Sequence, residues 1–151
     1  MEMPGAAGRW TEIVGVIGVI ASLVFVGIEI RQNTQAVRGA TYQSLAGASM
    51  DLLFYMADHP ELNAELDAWG RGEELPAQAR ARVEAVVLAY LRHLENAYYQ
   101  MEEGTLKPEL LENWAGNPTF SVPGFQEFWS QRRGAFSEGF RDYIEARWDL
   151  R

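Results

Sequence analysis

Few side chains in this 151-residue chain have the types and spacing that could do chemistry. The two histidines are His59 and His93, and there is no cysteine, which excludes disulfides, thiolate metal sites and cysteine nucleophiles. His59 precedes Pro60 at an expected helix start, and His93 lies between Arg92 and Leu94 on a strongly periodic helix. Neither belongs to a Glu-x-x-His or His-Glu-x-x-His set, so neither is expected to hold a metal. No Gly-x-Ser-x-Gly turn and no Gly-x-x-x-x-Gly-Lys-Ser/Thr loop occurs. "GVIG" at Gly15 matches half of a dinucleotide fingerprint, but it follows no strand pattern and sits inside an apolar run. Adjacent carboxylates stand at Glu73–Glu74 and Glu102–Glu103, at helix edges or in loops. Acid–base work by a pair needs environments that drive the two pKa values apart, and solvated edges do not supply them. Arg132 and Arg133 make the densest basic spot. They are a candidate anion contact, against the competing reading that they pair with the chain's own carboxylates. No catalytic residue, cofactor or metal is therefore expected.

The charge balance narrows the partners. With 13 Lys+Arg against 21 Asp+Glu the formal net charge is −8. That field opposes a polyanion, so no nucleic-acid partner is expected. Aromatic residues make up 12% of the chain, a content suited to a packed protein and unlike a disordered one.

The remaining feature that could carry function is an apolar run. Ile13 to Ile28 carry no charge, and Glu12 and Glu29 bracket them. A cleaved signal is not expected, because only Arg9 precedes the run and "GIEIRQN" after it offers no small-x-small site. A helix buried in a soluble bundle would need cover on every side. The expected reading is a membrane span over 10–30, with Trp10 at one interface and the two glutamates at headgroup depth. On a helix Gly15, Gly18 and Ser22 fall on one side, and Glu29 continues it. Gly18 and Ser22 form a small-xxx-small pair that lets two helix backbones approach. These four residues are the candidate helix–helix interface. Arg31, Gln32 and Asn33 just beyond are a candidate membrane-proximal interface. Arg31 and Arg38 against Arg9 favour placing the C-terminal part on the cytoplasmic side.

The rest of the chain reads as helical, with no strand-like alternation. A stripe from Ile30 through Thr34, Val37, Thr41, Leu45, Ala48, Leu52 and Tyr55 predicts that the span continues as a stalk helix. "ADHPEL" stops it, and Asp58 with Glu61 resembles a capping box for a short helix to Trp69. Val83, Val86, Val87, Tyr90, Leu91, Leu94, Tyr98 and Met101 mark the apolar face of the strongest helix, with Gly104 as its C′ residue. Pro108 starts another helix through Trp114, and "AGNPTFSVPGF" reads as a loop. Two further helices break near Gly134, with Ser137 as a cap. The expected fold is all-α: a tail over 1–9, the transmembrane helix over 10–30, and a helical soluble domain over 31–151 that holds the stalk and a bundle of about five helices.

"IEIRQNTQAVR" after an apolar helix, then "HPELNAELDAWGRG", "AYYQMEEGTL" and "GFQEFWSQRRGAF", together resemble an uncharacterised family of small bacterial proteins. The resemblance spans Trp10 to about Tyr143. It implies one N-terminal hydrophobic helix, an all-helical domain and no catalytic residues. The recurring positions fall here on Glu29, Arg31, Gln32, Asn33, Pro60, Tyr99, Gly104, Trp129, Arg132, Arg133 and Phe136. The function expected is a non-enzymatic, single-pass protein of the bacterial inner membrane. It would act as an assembly or accessory subunit, in contact with lipid and with another membrane protein or a copy of itself. One alternative is a tethered domain that binds a small molecule or lipid, using the aromatics Trp114, Phe120, Phe125, Phe128 and Trp129. The other is a soluble helical protein with the N-terminal helix buried.

Overall fold

The computed structural model describes residues 6–116 and 122–150. The start of the tail, Phe120 and the middle of the "AGNPTFSVPGF" loop lie outside the described residues. All elements among the described residues are helical: α1 (Ala6–Asp58), α2 (Glu61–Gly70), α3 (Ala77–Glu102), α4 (Pro108–Ala115), α5 (Pro123–Arg132), a 3-10 turn (Arg133–Ala135) and α6 (Glu138–Trp148). The all-α class and the long apolar N-terminal helix are both present. Contacts divide the chain into two units, Met1–Ala40 and Thr41–Arg151.

The described part of the first unit is the N-terminal length of α1. Its large apolar side chains from Trp10 to Ile30 are between 47% and 67% exposed. The helix is long and apolar enough to cross a membrane, and no part of its most apolar window is buried.

The second unit buries its apolar residues. Val83, Leu91 and Leu94 of α3 are fully enclosed at its centre. Leu62 and Trp69 of α2, Leu111 of α4, Phe125, Phe128 and Trp129 of α5 and Phe140, Ile144 and Trp148 of α6 complete the core. A fully buried side chain of this class contributes about 1.5–3 kcal/mol. Among the described residues of α1, Leu45 alone is counted in that core.

Two glycines fix local geometry. Gly104 has φ +71, and its N–H and that of Thr105 donate to the carbonyls of Met101 and Gln100, both at 2.9 Å. This is the paired bonding of a Schellman end, which needs a left-handed residue at C′. Gly124 in the first turn of α5 lies against the end of α2, where a Cβ would collide with the Trp69 carbonyl oxygen.

Several expected boundaries shift. Asp58 ends α1 instead of capping α2, whose N-cap is Pro60 with no side-chain cap bond. The helix simply runs to its last residue before the Pro60 turn, so Asp58 never leaves helical geometry. Ser137 does hold the N-cap position of α6, but its hydroxyl is buried without a partner. Its own N–H donates to Glu95 Oε1 at 2.9 Å, and Arg92 holds the other Glu95 oxygen at 2.6 Å. A buried carboxylate from α3 thus takes over the turn before α6. Proline at the first helical position lets α5 begin at Pro123, earlier than the loop reading allowed.

Candidate functional site

On the first unit, Gly15, Gly18, Ser22 and Glu29 are exposed on one regular helix, as are Arg31, Gln32 and Asn33. A Cβ on Gly15 or Gly18 would meet nothing within 4 Å, so the small-residue face is open. Ser22 Oγ donates to the Gly18 carbonyl at 2.9 Å, and Thr34 Oγ1 does the same to Ile30 at 2.8 Å. Hydroxyls bonded back to their own helix present little unmet polarity to an apolar surrounding.

The arginine pair is engaged within the second unit. Arg132 lies 3.7 Å from Glu84, and Arg133 Nε donates to Glu145 at 2.7 Å. Glu145 also accepts from Trp129 Nε1 at 3.1 Å. Arg80 bridges Glu84 and Glu127 at 2.8 and 2.9 Å, and its hydrogen bond holds the Glu127 carboxyl below the usual range. These links tie α3, α5 and α6 together, which gives the arginines a structural employment.

Of the aromatic cluster proposed as a pocket, Phe125, Phe128 and Trp129 are core, Trp114 is partly buried, and Phe120 lies outside the described residues. Phe125 stacks on Trp129 with centroids 6.1 Å apart and meets Trp148 edge-on at 5.3 Å. Trp129 in turn stacks on Phe136 at 5.4 Å. A cavity exists elsewhere, between the C-terminal length of α1 and helices α2 to α4, with Val122 and Pro123 at one side. It is an open cleft of about 990 Å³, at the upper end for a small-molecule site.

From α1, Ser49, Leu52, Leu53 and Met56 line this cleft, and Leu45, one turn before Ser49, is buried in the core. Ala48 and Tyr55 of the expected stripe are exposed. The drift has a simple cause: a helix facing one neighbour needs only a narrow seam, and the sequence offered apolar residues on either side of it. From α3, Val86, Val87, Tyr90 and His93 face the cleft, and Trp114 comes from α4. Ser49 Oγ and His93 Nε2 share a hydrogen bond at 2.9 Å, with the donor set by the imidazole tautomer. Burial lowers the His93 pKa, so its ring is neutral near pH 7. The Tyr90 hydroxyl donates to the Trp114 carbonyl at 2.6 Å, and burial pushes its pKa up to about 12.

A hydrogen-bonded serine and histidine suggest a nucleophile and its base. Here Ser49 lies inside a continuous helix, where backbone N–H groups bond carbonyls a turn back. They are not aimed at an oxyanion near the serine hydroxyl, and acyl transfer draws much of its rate from such donors. Sequence reasoning weighed His93 only as a metal ligand and passed over Ser49. The available signal was periodicity, since Ser49 is one turn from Leu45 and His93 is three residues from Tyr90.

Fold and site together define an all-α domain with an apolar cleft, on a chain whose first helix can cross a membrane. Comparison with protein-family models, with curated proteins and with solved structures finds no match for this chain.

Proposed function

We propose that this chain is a non-enzymatic, single-pass protein of the bacterial inner membrane. It carries its helical domain on the cytoplasmic side and works by assembly. The observation that supports this most is the uninterrupted apolar length of α1, exposed on all faces and carrying Gly15, Gly18 and Ser22 on one of them. Apolar side chains left in water on every side of a helix are costly, so lipid covers most of them. The small-residue face then lets a second helix approach closely, either a copy of this chain or a larger membrane protein to which it is an accessory subunit. Glu29 at the end of the same face pairs with a cation of the partner, and Arg31, Gln32 and Asn33 meet it at the headgroups.

Purification of the full chain in a mild detergent tests the assembly. A stable oligomer or a co-purifying membrane protein is expected, and Gly18→Leu with Ser22→Leu should disperse it. A lone monomer with no companion, unaltered by the double substitution, contradicts the proposal.

A further inference from the structure

We infer that the cleft between α1, α2, α3 and α4 is a binding site for an uncharged amphiphilic small molecule whose single hydrogen-bonding head sits at Ser49 and His93. This is independent of the assembly reading, since every residue it uses belongs to the Thr41–Arg151 unit.

The volume, about 990 Å³, accommodates a drug-sized molecule with apolar walls from Leu52, Met56, Trp69, Val86 and Trp114. Charge decides the occupant's class. The two charged residues that line the cleft are Asp67 and Arg71. Arg71 already pairs with Glu73 at 2.6 Å and interacts with Asp67. The other polar lining groups, Ser49, Tyr90, His93 and Asn113, are neutral or held neutral. An ionised ligand would lose its water, and the cleft's lining offers the Ser49–His93 end no charged group except Asp67 and Arg71, which already interact with each other. A neutral one loses little. The head has a defined station, because either tautomer of His93 leaves the Ser49–His93 pair a further proton to donate.

The test uses the full chain in nanodiscs of phosphatidylethanolamine and phosphatidylglycerol, titrated with 1-octanol, octanoate and octylamine. The indole N–H signals of Trp69 and Trp114, assigned with Trp→Phe variants, report occupancy. Saturable shifts with 1-octanol are expected, with octanoate and octylamine at least about tenfold weaker. Ser49→Ala and His93→Gln should each weaken 1-octanol by roughly fivefold to tenfold, whereas Glu103→Gln should leave it unchanged. Displacement of 1-octanol by diacylglycerol added to the disc would support the site and assign its ligand to the bilayer. Persistence of 1-octanol against diacylglycerol would support it with a ligand from solution. The proposal is overturned if neither indole signal shifts saturably, if the three probes bind alike, or if both substitutions leave 1-octanol binding intact.

Discussion

Two lengths of this chain are rich in apolar residues and treat them in opposite ways. In α3, Val83, Val87, Leu91 and Leu94 form a stripe that is buried, while Arg80, Arg82 and Glu84 lie beside it in ion pairs. In the first length of α1, Ile, Val, Leu and Phe surround the helix, and every described one is exposed. A stripe tells a helix where its protein neighbours are. An apolar surface on all sides specifies a solvent, and hydrocarbon is the solvent it suits. Between these extremes, the end of α1 buries Leu45 and leaves Met50, Leu53 and Phe54 exposed at 57%, 63% and 64%.

The contrast can be broken at either end. Paired Ile17→Arg and Ile20→Arg substitutions place two charges mid-span, at about 2.5–3.5 kcal/mol each on insertion scales. Loss of the chain from the membrane fraction is expected, with the near-ultraviolet circular dichroism of the packed aromatics unchanged. Phe125→Ala should do the reverse. Phe125 is fully buried, so its removal should cost about 3–5 kcal/mol in denaturant unfolding while membrane association persists. Gly104→Ala comes next, because it forces a side chain into a left-handed conformation at about 1–2 kcal/mol, with no steric clash to add.

The smallest effects are pH-dependent and belong to the cleft. The Tyr90 pKa is raised by burial from 10.0 to about 12, so the folded state holds this proton longer than the unfolded one. Its stabilising contribution is complete below pH 10 and is lost as pH rises toward about 12. A thermal midpoint followed through that window should fall more steeply for the native chain than for Tyr90→Phe. His93 has the opposite sign. Its lowered pKa means that the unfolded state binds the proton first, so stability falls as pH drops below the ordinary value of 6.5. His93→Gln should flatten the acid side of the profile.

Much of the fold was legible because helices announce themselves. The absence of proline from Trp10 to Ala57 forecast one helix, and one helix runs Ala6–Asp58. Gly104 forecast the end of α3 because a glycine after a periodic stretch has few other uses. The caps were less legible. Asp58 and Glu61 have capping-box spacing, but that pattern cannot reveal that the preceding helix still owns Asp58. The cleft was not legible at all. Periodicity places Ser49, Tyr90 and His93 toward the interior, yet whether facing side chains touch or enclose a cavity depends on how α1 stands off α3, which no local pattern encodes. The aromatic cluster divides for the same reason: Phe125, Phe128 and Trp129 are buried in the core, whereas Trp114 lines the cleft.

The membrane span bears most directly on everything else, and alkaline carbonate extraction of native membranes tests it. If Ile13 to Ile28 cross the bilayer, the full chain stays in the membrane pellet after carbonate, and the Ile17→Arg, Ile20→Arg variant does not. Release of the unaltered chain into the supernatant as a soluble protein would contradict the span.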